Sequence, residues 1–231
     1  MIYLTIIIPV YNETNTIIKI INKIKSKKIK KQIIVIDDFS NDGTKEKLVK
    51  NKHKIDKLLF HKKNLGKGAA IKTAQKYIKG KFVIIQDADL EYDPKDYKKL
   101  LNPLFKKKSK VVYGSRVLGK KRYKSNHFTS LIRVFFNHSL TLFSNIVNKQ
   151  SLTDAHTCYK VFESNLFKKI KLNERRFAFC PEITTKISNL NLKIIEVPIS
   201  YKGRSYKEGK KISYKDGIEA VISLIKYKYF N

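Results

Sequence analysis

The sequence predicts an α/β protein, a mainly parallel sheet with helices on both faces. Three observations carry this expectation. Short runs of β-branched and aliphatic residues alternate with polar stretches of helical spacing through the first half of the chain. The runs are apolar throughout rather than alternating, as in strands covered on both faces. Polar and acidic clusters stand directly after three of them, at the carboxyl ends of strands, where such sheets bind ligands.

In chain order, strands are expected at 5–10, 32–37, 58–61, 82–86 and 110–113. Helical segments near 14–27, 42–52 and 67–78 separate the first four, and another covers 95–106. Beyond residue 125 the pattern changes. An aromatic-rich helix over 128–147 precedes a strand-like 156–162 and a helix near 181–189. A strand at 192–201, a basic loop at 202–211 and a last helix at 214–229 complete the chain. No Pro/Gly/Ser-rich linker divides it, so one domain over 1–231 is expected.

With 231 residues, 42% of them hydrophobic, the chain can bury a substantial core. Lys and Arg number 50 against 19 Asp and Glu, a formal net charge of +31. That surplus implies anionic partners: nucleic acid, acidic lipid or phosphorylated substrates. The lysines are spread over the whole chain beside Ile and Asn, a pattern that biased composition also explains. Cys158 and Cys180 are too few for a disulfide framework or a zinc site and fit a reducing compartment. The N-terminus lacks a signal peptide's basic region and cleavage site and reads as a strand. No stretch reaches the ~20 apolar residues of a spanning helix. The nearest, 128–147, is broken by Arg133, Asn137, His138 and Asn145. The expectation is a protein that does not span a membrane and can lie on one.

Asp87-Ala88-Asp89 follows the apolar run 82–86. Two carboxylates two residues apart on an extended segment point to one side, with the small Ala88 between. Such hard oxygens suit Mg²⁺ or Mn²⁺ shared with a diphosphate, and Glu91 can supply another. Asp37-Asp38 ends the second strand, where a carboxylate can accept a hydrogen bond from a base or ribose. Helix capping, for which Ser40, Asn41 or Asp42 suffices, leaves that adjacent pair unexplained. Asn64-Leu65-Gly66-Lys67-Gly68 opens a helix, and its amides and Lys67 can face phosphate or ribose; an ordinary turn is the alternative. The spacing is not that of a nucleoside triphosphatase loop. Tyr11-Asn12-Glu13, Asp37-Asp38 and Asp87-Ala88-Asp89 thus converge on one rim.

These segments carry a resemblance. Pro9-Val10-Tyr11-Asn12-Glu13, Val35-Ile36-Asp37-Asp38, Gly66-Lys67-Gly68, Gln86-Asp87-Ala88-Asp89-Leu90 and Tyr113-Gly114-Ser115-Arg116 resemble the family 2 glycosyltransferases of GT-A (Rossmann-like) fold. Further segments are similar to the branch of dolichyl-phosphate mannose and glucose synthases and their bacterial polyprenyl-phosphate relatives. These are 153–160, Pro181-Glu182, 197–201, Arg204 and 208–211. The resemblance covers about residues 5 to 217. It implies inverting transfer of a hexose from a nucleoside diphosphate, UDP-glucose or GDP-mannose, to a polyprenyl phosphate, with Mg²⁺ or Mn²⁺ as cofactor. Residues 1–120 would be the nucleotide-sugar-binding half, with Pro9, Tyr11, Glu13, Asp37, Asp38, Gly66, Lys67, Asp87, Ala88 and Asp89 at the donor. Asp87, Asp89 and Glu91 would hold the metal. Residues 121–231 would form the acceptor side, with a basic lid at 202–211 and an amphipathic C-terminal helix.

A phosphate acceptor suits the residues present. A hydroxyl acceptor needs a general base, for which Asp154 is the candidate, with His156 beside it. A phosphomonoester, with a second pKa of ~6, is already an anionic nucleophile. It needs orientation and neutralisation, for which Arg116, Arg133, Arg204 and Lys210 stand ready. The catalytic set expected is Asp89, Arg116, Asp154, Arg204 and Lys210. Glu182 is expected at the start of the helix near 181–189, beside its N-terminal dipole. The loop 204–211, which Gly203 before it and Gly209 within it would let move, is either a solvated basic loop or a lid over the diphosphate.

The helix at 128–147 and the last helix set Phe, Leu and Ile beside Lys and Tyr, as interfacial helices do. Packing on the sheet is the alternative for both. Many bacterial relatives add C-terminal membrane helices, and the sequence ends at Asn231 without them. The expected location is therefore the cytoplasmic face of a membrane, held peripherally or by an anchoring partner protein. Nucleic acid is not expected: basic residues are dispersed and acidic ones gather at the rim, which repels phosphate backbones.

Overall fold

The computed structural model describes residues 3–119, 131–204 and 214–230, the side chains of 131–133 and 214 excepted. In chain order the elements are β1 (Leu4–Val10), α1 (Ile17–Lys25), β2 (Lys31–Asp37), α2 (Thr44–Lys50), β3 (Lys57–Phe60), α3 (Lys67–Gln75) and β4 (Phe82–Ile85). They continue with α4 (Tyr97–Phe105), β5 (Val111–Ser115), α5 (Leu131–Asn148), β6 (Lys160–Glu163), α6 (Ser164–Lys169), α7 (Phe179–Asn189), β7 (Ile195–Pro198) and α8 (Tyr214–Tyr229).

The seven strands form one sheet in the order β3-β2-β1-β4-β6-β5-β7, to which both halves of the chain contribute. β1 lies parallel to β2 and β4, and β2 to β3. β6 runs antiparallel between β4 and β5, and β7 is parallel to β5. All seven residues of β1 are buried, as a central strand covered on both faces requires. α1 buries Ile17, Ile20, Ile21 and Ile24, the i, i+3, i+4, i+7 stripe of a helix laid on a sheet. α7 packs its Phe179, Ile183 and Ile187 into the same core, and α5 and α8 pack against α7 and each other.

Two expectations change. The strand foreseen at 156–162 begins only at Lys160. The preceding residues form a turn whose carbonyls at Ala155 and Thr157 accept hydrogen bonds from the buried Lys160 ammonium. α6 was not foreseen: six residues are too short to show a helical period.

Candidate active site

The chain leaves β1 outward to β2 and β3, then crosses back to β4 on the other side of β1. A crevice opens at this switch point, beyond the carboxyl ends of the strands. Pro9 fits there. The pairing of β1 with β4 ends at Ile7 and Ile85, so the N–H that proline lacks would have met no strand partner on that side. Each of the three rim segments contains, or is directly followed by, one non-glycine residue in the left-handed region: Asn12 (φ 51), Phe39 (φ 68) and Leu90 (φ 63). For Phe39 and Leu90 such backbone costs about 1 kcal/mol or more, and strain of this kind clusters at functional sites. Hydrogen bonds hold the first two segments together. Asn12 N donates to Ser40 Oγ (2.9 Å), Glu13 N to Thr44 Oγ1 (2.9 Å) and Asn41 N to Asn12 Oδ1 (2.9 Å).

The adjacent Asp37 and Asp38 do different work. Both oxygens of Asp38 accept backbone N–H groups of the glycine loop, from Leu65 (2.9 Å) and Gly66 (2.7 Å), and His61 Nδ1 lies 2.6 Å away. The amides expected to face phosphate therefore face Asp38, which corrects the expectation for Gly66 and gives Asp38 a structural task. The glycines serve close approach instead. A β-carbon on Gly66 (φ +94) would come within 2.5 Å of the Arg175 carbonyl oxygen, and one on Gly68 within 2.3 Å of the Glu174 carbonyl oxygen. Asp37 accepts from Ser40 N (3.2 Å), while its buried Oδ1 has no partner among the described residues. Burial raises the Asp37 pKa, so Asp37 is the rim carboxyl with an unmet hydrogen-bonding site.

Asp87 and Asp89 differ as sharply. Lys67 Nζ lies 2.6 Å from Asp87 Oδ1. Burial disfavours the charge on Asp87, yet the Lys67 ammonium outweighs it and holds the carboxyl below its usual range. At Asp89, burial and the neighbouring Asp87 and Glu91 charges push the pKa up to about 7, against the pull of Arg204. Asp89 accepts from Glu91 N (3.1 Å), and Arg204 Nη2 stands 3.5 Å from its Oδ2. Arg204 donates from Nη1 and Nη2 to Glu13 at 3.1 and 2.8 Å. Glu91, expected as a third metal oxygen, instead accepts from Arg204 N (2.7 Å) and Tyr201 Oη (2.9 Å), tying the end of the β7 arm to the rim. No three His, Cys, Asp or Glu side chains converge as a metal group among the described residues. Beneath Asp87, Gln86 is fixed by the hydroxyls of Tyr97 (2.8 Å) and Tyr159 (2.7 Å) and donates to the Asp87 carbonyl (2.9 Å).

Arg116 and Asp154 are brought together, but with each other. Arg116 donates from Nε and Nη2 to the two carboxylate oxygens at 2.7 Å each, and its backbone N adds a third bond at 3.0 Å. The guanidinium lies 5.1 Å from the centre of the Tyr201 ring. Against the cost of burial, Arg116 holds the Asp154 pKa down. A carboxylate so neutralised is a poor proton acceptor, which counts against Asp154 as base. His156 is half-buried, and desolvation and the Lys160 charge push its pKa down to about 4. Glu182, fully buried in the first turn of α7, accepts from Asn173 N (2.6 Å) and Glu174 N (3.0 Å). It therefore shapes the 173–176 segment on which the glycine loop rests. Arg133's side chain, Lys210 and most of the loop 202–211 lie outside the described residues.

Sequence reasoning missed Glu196, His61 and the Tyr–Gln86 platform. Glu196 accepts from Thr153 N (2.6 Å), Thr153 Oγ1 (2.8 Å) and Asp154 N (2.9 Å), so it aims the carboxylate that holds Arg116. The one signal for it was a charged residue inside an otherwise apolar strand.

The sequence model described as glycosyl transferase family 2 matches residues 5–171, which span all three rim segments and the Arg116–Asp154 pair. The chain belongs to that family. The transferase is 26% identical to the dolichyl-phosphate beta-glucosyltransferase ALG5A of Trichomonas vaginalis, over 100% of its own length and 74% of that protein's. It is 31% identical to the dolichyl-phosphate beta-glucosyltransferase of Dictyostelium discoideum, over 87% and 66%. Its fold matches glucosyl-3-phosphoglycerate synthase from Mycobacterium tuberculosis, solved with Mn²⁺, UDP and glucosyl-3-phosphoglycerate, at a TM-score of 0.70. At 15% identity that match covers 98% of the transferase and 80% of the synthase, and shows the common GT-A fold.

Proposed function

We propose that the transferase moves a hexose from a nucleoside diphosphate sugar to a polyprenyl phosphate, with inversion at the anomeric carbon. The carrying observation is the closed Arg116–Asp154 pair: the carboxylate expected to activate a hydroxyl is already neutralised at 2.7 Å by two guanidinium nitrogens. An acceptor phosphate needs no such base. One of its oxygens forms the new bond to the anomeric carbon as the bond to the nucleoside diphosphate breaks, and the diphosphate leaves with the electron pair. Two relatives named dolichyl-phosphate glucosyltransferases support this acceptor class and favour glucose over mannose. UDP in the related-fold synthase favours UDP-glucose over GDP-mannose as donor.

Asp87 and Asp89 suit Mg²⁺ or Mn²⁺. The fit rests on the donor set: Asp87 and Asp89 stand two positions apart at the rim, and Arg204 comes no nearer than 3.5 Å to Asp89. Two protein carboxylates suffice when a diphosphate supplies the remaining oxygens. When bound, the ion would neutralise charge on the departing diphosphate. Asp37 offers its unmet oxygen to the base or ribose. Lys67 and Arg204 border the diphosphate, and Ala88 keeps room between the carboxylates. Pro9, Tyr11 and Glu13 line the β1 side. Arg133 and Lys210 remain proposed acceptor-phosphate contacts and the loop 202–211 a proposed lid. Residues 1–120 serve the donor and 121–231 the acceptor. No helix among the described residues is long and apolar enough to cross a membrane. The transferase is proposed to act at the cytoplasmic face, held peripherally or by an anchoring protein.

The test is transfer of radiolabel from UDP-glucose to polyprenyl phosphate with Mn²⁺ or Mg²⁺, followed by organic extraction. Label in the lipid phase, released by mild acid, is the expected result. Label appearing only on a hydroxyl acceptor would replace this reading by the alternative of a glycan transferase.

A further inference from the structure

We propose that Phe39 is the ring against which the nucleobase of the sugar donor stacks. Six non-glycine residues among those described have positive φ. Lys107, Lys149 and Asn191 follow the ends of α4, α5 and α7, where a left-handed residue commonly stands. Asn12 is of a type that tolerates this backbone, and Leu90 packs against the core. Phe39 (φ 68) has none of these reasons. It lies in the loop between β2 and α2, and its bulky side chain is of the kind the left-handed region penalises. Glycine would fit that backbone better.

The conformation is imposed from both sides. Asp38 N donates to the Val10 carbonyl (2.8 Å), and Ser40 Oγ accepts from Asn12 N (2.9 Å), so both residues flanking Phe39 are tied to the β1 rim segment. Strained backbone persists where its surroundings fix it. The ring itself gains little from the fold: it is 53% exposed and makes no ring contact among the described residues. Phe105 shows the contrast. It is 50% exposed, yet it meets Phe82 and Tyr3 edge-on, with ring centres 5.2 and 6.3 Å away.

The surroundings select the occupant. The chain on either side of the ring is polar, Asp37-Asp38 before it and Ser40-Asn41-Asp42 after it, so the ring does not extend an apolar patch along this segment. A group that is flat and stacks on its face, yet carries hydrogen-bonding atoms at its edge, suits such a place, and a nucleobase is such a group. Two residues earlier, Asp37 holds a buried Oδ1 without a partner among the described residues, suited to an N–H on the edge of that base. The assignment rests on the nucleotide-sugar donor of the proposed function. It adds a residue that meets the base, where Lys67 and Arg204 border the diphosphate.

The test is titration calorimetry with UDP and with pyrophosphate, each with Mg²⁺, on the parent protein, Phe39→Gly and Phe39→Tyr. Phe105→Ala is the control, since Phe105 packs at the opposite ends of the strands, beside Tyr3 and the start of β4. Phe39→Gly should weaken UDP binding about tenfold or more and leave pyrophosphate within about twofold. Its melting temperature should rise by about 2–4 °C as the strain is relieved. Phe39→Tyr should bind UDP as the parent does, and Phe105→Ala should lose stability but keep both affinities. The chain has no tryptophan, so Phe39→Trp reports on the contact itself. Its fluorescence should be quenched by UDP and not by pyrophosphate. Unchanged UDP affinity in Phe39→Gly, or an equal loss for pyrophosphate, would overturn the proposal. So would Trp emission at 39 that saturating UDP leaves unaltered. A parent that binds neither UDP nor GDP would sink the donor reading as well. The expected losses of UDP binding without label in the lipid phase would count against the proposed acceptor alone.

Discussion

Asp154, buried, and Asp89, half-buried, are both rim carboxylates facing an arginine, and they end in opposite states. Asp154 has Arg116 to itself, with two side-chain bonds of 2.7 Å, and its pKa falls. Asp89 shares Arg204 with Glu13, sees it at 3.5 Å, lies between Asp87 and Glu91, and rises to about 7. The first pair is closed and structural. The second is short of positive charge, which is what a site for a cation and a diphosphate requires.

The largest effect tests the closed pair. Asp154→Asn leaves the Arg116 guanidinium buried without its counter-charge and should cost about 3–5 kcal/mol of stability, read by chemical denaturation. Unchanged stability with abolished transfer would restore Asp154 as a base. Asp89→Asn should do the reverse, lowering transfer about 10²–10³-fold in the lipid-extraction assay while leaving the melting temperature unchanged or higher. Full activity in that variant would remove Asp89 from the metal site. Glu196→Gln keeps the shape but weakens the three hydrogen bonds that aim Thr153 and Asp154. About 1–2 kcal/mol is expected, with a smaller loss of transfer than Asp89→Asn gives.

The smallest effect is in pH. Asp89 is raised in the folded chain above its ordinary value of 3.8, so between about 4 and 7 the folded state binds more protons than the unfolded. Its contribution to stability is therefore lost as pH rises through that window. Asp154, with its pKa lowered, contributes above its ordinary value and loses its contribution as pH falls through the lower folded value. Mn²⁺ selects the ionised form of Asp89, so it should raise the melting temperature more at pH 8 than at pH 6. That difference should vanish in Asp89→Asn.

Much of the sheet was legible because buried parallel strands are continuous apolar runs, and β1 to β4 appear within a residue or two of the expected places. The turn at 155–159 was not, because a single buried lysine, Lys160, holds that turn and delays the start of the strand through bonds that leave no periodic trace. The glycine loop shows the same limit. Gly66 and Gly68 were visible as special, yet the reason is the backbone of residues 174–176 pressing on them, a contact over 100 positions away.

The sequence by itself determined the strands, the three acidic rim segments and the family, because these depend on local spacing and residue type. Tertiary structure alone decided which charges meet. Arg204 reaches Glu13 across 191 positions, while Arg116 finds Asp154 across 38. Spacing likewise marked α5 and α8 as amphipathic, but only packing on α7 settled which side of each is covered. Periodicity tells that a helix has two faces; the neighbour it meets decides which of them faces outward.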